Sequence, residues 1–284
     1  MELLDTHLHL VYKDRFSYPW IEVEDVDYPW LDGAPSLNRS FKVDEYFDEA
    51  AVLGVVSALH MEVDVAESDM EAETRFVLDV DPRICGAIAA CRPESAGFRA
   101  YAERMAALKG VRGVRRILHT EPDETSQTKL YADNLNHLPA LGLTYDLCMQ
   151  AHQLPLGRKL VDRCPDVQFI LDHCGWPDVT GGRFDPWRAE ISEMAKRPNV
   201  VAKVSGIVAY SGRAWSVSDI KPYIEHIIES FGWDRVVWGS DHPVCTLTSS
   251  LAQWVTALKM IVAGEPVENQ SKLFSRNARR VYGL

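Results

Sequence analysis

The sequence predicts a (β/α)8 barrel on three observations: eight short apolar runs recur along it, stretches of helical periodicity separate them, and polar residues stand where several runs stop. Barrels of this kind commonly run to about 250 residues as one domain, so the whole chain, residues 1–284, is read as a single domain.

The first run is Leu3–His9, and the longest connection follows it, from Leu10 to about Val43. That connection repeats a tripeptide, Tyr18-Pro19-Trp20 and Tyr28-Pro29-Trp30, whose rings either pack the loop onto the barrel mouth or touch a substrate. Val55–Glu62 leads into a helical stretch at Met70–Val80, Ile84–Cys91 into Phe98–Leu108, and Val111–Leu118 into Asn134–Leu141. Leu143–Gln150 precedes Leu156–Cys164, Val167–His173 precedes Pro186–Lys196, and Val200–Ser205 precedes Ile220–Ser230, ahead of the eighth run, Arg235–Asp241. Each intervening segment is long enough for a parallel crossover. A doubly wound open sheet is disfavoured, because no glycine-rich phosphate loop follows the first run.

Composition narrows the function classes. A chain that is 46% hydrophobic and 25% charged can bury a large core. A net charge of -11 argues against a nucleic-acid partner, which needs clustered Lys and Arg. No run approaches the roughly 20 apolar residues of a membrane span, and no basic segment leads into an apolar one at the N-terminus. The six cysteines form no C-x-x-C pair and are read as reduced thiols of a cytoplasmic protein.

Strand alternation groups Asp5, His7 and His9 on one face of the first run, a face expected to point into the barrel. Three ionisable side chains inside a core require pairing or a metal ion, and His-x-His can offer two imidazoles to one ion or serve as hydrogen-bonded core histidines. Two more runs stop at polar residues: Leu171-Asp172-His173-Cys174-Gly175 and Gly239-Ser240-Asp241-His242-Pro243. In a barrel, strand ends distant in sequence converge over one mouth, so His7, His9, His173 and Asp241 are expected to meet. Ser205 and Ser240 lack a nucleophile elbow, and no Cys stands in an activating motif.

These residues resemble the amidohydrolase superfamily: H-x-H on strand one, LDHCG on strand six and GSDHP on strand eight. The opening DTHLHL with its YPW loop, AETRFVLD, GVRRILHTEPD, QLPLGRKLVDRCPDVQFILDHCGWPDV, KVSG and FSRNARRVYGL together resemble its sugar-lactonase group. That group contains fuconolactonase, rhamnonolactonase, pyrone dicarboxylate lactonase and galactarolactone isomerase. The resemblance implies hydrolysis of a sugar-acid lactone, with Asp241 as general base and His173 beside it. It also implies one divalent ion, zinc, on His7, His9 and Asp241, or no metal at all. No lysine lies in Val111–Leu118 to bridge two metals as in binuclear members. An aldarolactone isomerase using the same base and a decarboxylase of a related branch are the rival activities, with idle sugar-acid binding as the non-enzymatic one. Arg112 and Arg115 are candidates for a substrate carboxylate or a developing oxyanion, although parity lets only one of them face inward. His152, Trp30 and Trp176 complete the expected substrate contacts, Trp20 is a further stacking candidate, and Lys203 shares the ambiguity of the arginines.

Overall fold

In a computed structural model, which describes residues 1–22 and 34–284, each apolar run becomes a strand paired in parallel with the next. The order is β1 (Leu3–Leu8), β2 (Val55–Met61), β3 (Ile84–Ala90), β4 (Val111–Ile117), β5 (Thr144–Cys148), β6 (Phe169–Leu171), β7 (Val200–Val204) and β8 (Val236–Trp238), in one eight-stranded sheet. The ends of the sheet meet through a parallel bridge between Leu8 and His242. There the Asp241 amide donates to the His7 carbonyl at 2.8 Å and the His9 amide to the His242 carbonyl at 2.8 Å. The expected barrel is therefore present.

The connections carry helices α1 (Pro19–Glu22), α2 (Val43–Ala50), α3 (Met70–Asp79), α4 (Phe98–Ala106), α5 (Lys129–Leu135), α6 (Leu138–Leu141), α7 (Leu154–Asp162), α8 (Phe184–Met194), α9 (Val217–Phe231) and α10 (Leu251–Ile261). Beyond the last strand come α11 (Val267–Ser271) and α12 (Asn277–Tyr282). The helix expected at Asn134–Leu141 is split in two. Pro139 opens α6 and cannot donate a backbone hydrogen bond, so α5 stops at Leu135 and a new turn begins. Capping boxes start α9 (Ser216 with Asp219) and α10 (Ser250 with Gln253), satisfying amides that a helix start leaves without partners. Among the described residues no helix is long and apolar enough to cross a membrane.

Two apolar layers hold the barrel. Strand residues such as Leu3, Val114 and Phe169 pack outward against Phe47, Met105, Trp187 and Trp254 of the helices. Leu4, Leu59, Met61, Ile88, Ile170, Val201 and Val237 fill the interior, where Ala278 and Tyr282 of α12 join them. Fully buried side chains of this size each contribute about 1.5–3 kcal/mol.

Alternation in β1 is not continuous. Leu4 belongs to the interior cluster, yet His7 also faces inward and Leu8 outward, because the pairing with β2 slips between Asp5 and Leu8. Asp5 thus leaves the face expected of it. Its carboxylate takes hydrogen bonds from the Tyr46 hydroxyl on α2 (2.5 Å), the Ser240 amide (2.7 Å) and the His7 amide (2.9 Å).

Candidate active site

The strands end sooner than their apolar runs suggest, and the freed residues build the site. After β6, Asp172–Gly175 form a tight turn in which His173 and Cys174 adopt φ near 55°. After β8, Asp241 has φ 58°. Left-handed backbone at non-glycine residues turns their side chains away from the direction a continuing strand would give them. Two glycines permit the resulting close approaches. A Cβ at Gly206 would lie 2.4 Å from His173 Nδ1, and one at Gly239 would lie 2.6 Å from the His7 Cβ.

His7, His9, His173 and Asp241 meet as expected. Asp241 Oδ1 lies 3.6 Å from His7 Nε2 and 3.5 Å from His9 Nε2, and its Oδ2 lies 3.9 Å from His173 Nδ1. All four are buried. Burial, opposed by His173 and Arg115, raises the Asp241 carboxyl to about 6. His173 Nδ1 also reaches Ser205 Oγ at 3.0 Å, which fixes the ring. His9 Nδ1 faces the Met61 carbonyl at 3.1 Å. A carbonyl only accepts, so Nδ1 carries the proton and the Nε2 lone pair is aimed at Asp241.

Beneath these groups lies a charge network that strand patterning only partly foretells. Lys203, fully buried, bonds Asp146 and lies 2.8 Å from Asp172 and 3.3 Å from His7 Nδ1. Tyr282 of α12 donates to Asp146 at 3.2 Å. Arg115 donates to the Glu62 carboxylate at 2.6 Å and to the Glu62 carbonyl at 2.7 Å, and its Nη1 stands 3.2 Å from His7 Nε2. Burial pushes Asp172 and Glu62 up, but Lys203, His7 and His173 together around the first, and Arg115, the Asp64 amide and Arg92 together around the second, outweigh it, and both carboxyls fall below their ordinary range. Removing one partner of such a pair leaves a bare charge in the core. Lys203→Met is therefore expected to cost about 3–5 kcal/mol in urea unfolding. A loss below about 1 kcal/mol would show that Asp146 and Asp172 tolerate the change by taking up protons.

Of the two candidate arginines only Arg115 reaches the site. Arg112 is the second residue of β4, half-buried at the opposite end of the strand, with its Cγ close against Gly86. Arg116 turns outward to Glu94 (2.9 Å) and Glu121 (3.0 Å). His152 is exposed and does not line the cavity. Strand five already ends at Cys148, and the Ala151–Gln153 turn buries Gln153 instead, which bonds Asp123 at 2.8 Å. Trp30 lies outside the described residues.

The cavity above this floor is partly open to solvent, with about 770 Å³ of atom-free space including its open mouth. His9, Asp64, Arg115, His119, His173 and Asp241 form its polar side. Trp20, Ile117, Trp176, Tyr210 and Val244 belong to its apolar side, with Trp176 stacked on Tyr210 at 4.4 Å. His119 escaped the sequence reading. It stands just past β4, lies 3.4 Å from Cys148 Sγ and is brought to about 3 by burial.

Compared with known proteins, residues 4–284 match the sequence profile of the amidohydrolase family. An L-fucono-1,5-lactonase of Burkholderia multivorans is 28% identical over 296 aligned residues, covering 99% of this chain and 96% of that protein. Another, of Burkholderia ambifaria, is 26% identical over 202 residues, covering 70% of each. Among solved structures, an amidohydrolase of Burkholderia multivorans with bound zinc matches over the whole of both chains, with a TM-score of 0.87 and 25% identity. With its strand-end histidines and aspartate gathered over one barrel mouth and the profile matched almost end to end, this chain belongs to the amidohydrolase family.

Proposed function

We propose that this chain is a hydrolase that opens the lactone ring of a sugar acid by base-activated water. The observation that carries the reading is the convergence of Asp241 with His7, His9 and His173, from three separate strand ends, at one cavity. The two relatives named as lactonases support it.

Asp241 is the base. It takes a proton from water as the water oxygen attacks the lactone carbonyl, the bond from carbonyl carbon to ring oxygen then breaks as Asp241 returns that proton to the ring oxygen, which leaves as a hydroxyl, and the carboxylic acid formed ionises and releases one proton to solvent. The products are one carboxylate and one alcohol. Negative charge developing on the carbonyl oxygen is met by His173 and by Arg115, whose Nη1 is held at the cavity floor by the Glu62 contacts of its neighbouring nitrogens. Trp176, braced by Tyr210, offers a flat face to the sugar ring.

The residues also fit a metal ion. The lone pairs of His9 Nε2 and Asp241 Oδ1 face each other at 3.5 Å, so two buried acceptors call for a cation between them, and His7 Nε2, 3.6 Å from the same oxygen, is a third ligand within reach beside Arg115. His7, Asp172 and His173 form a second close group, but Lys203 already neutralises Asp172 there. One zinc ion on His7, His9 and Asp241 would suit such nitrogen and oxygen donors, and it would acidify a bound water and polarise the carbonyl.

The test is acid release. Purified protein, mixed with a panel of aldonolactones in weak buffer with a pH indicator, is expected to liberate acid. Metal analysis of the same sample is expected to give about one ion per chain, lost in the His7→Ala, His9→Ala double variant. A panel without acid release removes the lactonase reading. Full activity without metal makes His7 and His9 substrate contacts.

A further inference from the structure

Among the described residues, every Lys or Arg at the cavity or beneath it is already matched. Arg115, the one Lys or Arg that lines it among the described residues, is bound to Glu62 and lies 3.7 Å from Asp172. Lys203 beneath it is shared between Asp146 and Asp172. Arg92 does not line the cavity and lies 3.5 Å from Asp64, which does. Glu62, Asp64, Asp146, Asp172 and Asp241 thus stand against Arg92, Arg115 and Lys203, five carboxylates to three cations. A divalent ion would bring that sum near balance and leave no surplus for an anionic ligand. Residues 23–33 add no cation, because they contain Glu24, Asp25, Asp27 and Asp32 but no Lys, Arg or His.

From this we infer that the site is a charge filter: it admits lactones whose ring substituents are uncharged, rejects those bearing a free carboxylate, and uses Asp64 as the residue that sets the rejection. The inference rests on the lactonase reading for its ring chemistry but not for its sign. Asp64 is suited to the role by position. It sits two residues beyond Glu62 at the end of β2, with φ 49°, and its amide donates to Glu62 Oε2 at 2.7 Å. That turn keeps the carboxylate at the cavity wall with Arg92 paired to it. A carboxylate on the substrate would meet Asp64 and Asp241 with no cation to spare, and like charges so placed cost affinity steeply, on the order of 100-fold.

The inference reverses the expectation that the strand-four arginines wait for a substrate carboxylate. Arg115 is already charge-matched by Glu62 and Asp172 and so brings no net positive charge to a second carboxylate, and Arg116 turns outward to Glu94 and Glu121. A ring with hydroxyl, hydroxymethyl or methyl substituents meets no such conflict.

The experiment compares two rings of the same size and stereochemistry, an aldonolactone and the aldarolactone in which the exocyclic carbon is a carboxylate, together with the two corresponding lactams as non-hydrolysed ligands. Calorimetric binding of the lactams reads charge selection whether or not the ring is opened. The uncharged lactam is expected to bind the wild-type holoprotein at least about 10-fold tighter than the acidic one, and kcat/KM of the lactones is expected to differ on the order of 100-fold in the same direction. In Asp64→Asn, which keeps the left-handed turn because Asn tolerates it, the acidic lactam is expected to gain about 10-fold relative to the uncharged one. Added salt should narrow the gap by screening. Equal or tighter binding of the acidic lactam by wild type, or failure of both lactams to bind, overturns the filter; an unchanged acidic-lactam affinity in Asp64→Asn overturns the assignment to Asp64. Selective binding of the uncharged lactam with no opening of either lactone leaves the filter standing and removes the hydrolase.

Discussion

Asp241→Asn is expected to leave the barrel folded and to lower kcat/KM by about 10²–10⁴-fold. The amide cannot accept a proton, whereas the scaffold around it is indifferent to the exchange. Asn tolerates the φ of 58°, and the hydrogen bond from residue 241 to the His7 carbonyl belongs to the backbone. Among the described residues, Asp241 and Asp64 are the carboxylates lining the cavity, and Asp64 is taken up by Arg92. None of the described neighbours is therefore placed to replace Asp241 as a carboxylate base. The measurement is steady-state acid release, with thermal unfolding on the same preparation to show the fold intact. Retention of more than about a tenth of the wild-type rate would move the base elsewhere, with His173 the first alternative to examine.

Discrimination among lactones is expected to be larger still. A polyhydroxy lactone should be opened on the order of 10⁴-fold more efficiently than butyrolactone, which offers the same ester and no hydroxyls. Groups of the polar wall that give up water on binding, His9 and Asp241 among them, need hydrogen bonds from the ligand in return. A bare ring supplies none, and the penalty recurs for each hydroxyl missing. The apolar side, with Trp176 on Tyr210, binds either ring and so contributes little to the difference. Comparable kcat/KM for the two substrates would mean that the polar groups stay wet during turnover, and the pocket described here would not be the one that selects.

The barrel was legible because its signals are repeated: eight apolar runs, each bounded by polar strand ends, survive errors of two or three residues in any one of them. The meeting of His7, His9, His173 and Asp241 was legible for the same reason, since a strand end is a position that topology alone carries to the mouth. What failed depended on single backbone events. The register slip in β1 sends Asp5 to Tyr46 rather than to the cavity, and strict alternation cannot foresee a slip. His152 was displaced because β5 gives way to a turn after Cys148. The ionic floor was missed in part although its signals were present: Glu62 closes the second apolar run, Asp172 precedes His173, and Asp146 is a lone acid inside an apolar strand. Each alone reads as a surface carboxylate, and only the barrel brings them to Arg115 and Lys203.

The left-handed residues Asp64, His173, Cys174, Trp176 and Asp241 cluster at three strand ends, and each holds its backbone about 1–3 kcal/mol above a relaxed conformation. That clustering sets a boundary on how this enzyme could be adapted to heat. Glycine would relieve the strain at any of the five, yet at Asp64, His173, Trp176 and Asp241 it would delete a side chain that lines the cavity, and at Cys174 it would empty a fully buried site. Thermal hardening must therefore come from the helical shell and the far end of the barrel, so that variants selected for heat resistance and variants selected for new substrates would accumulate changes at opposite poles of the molecule.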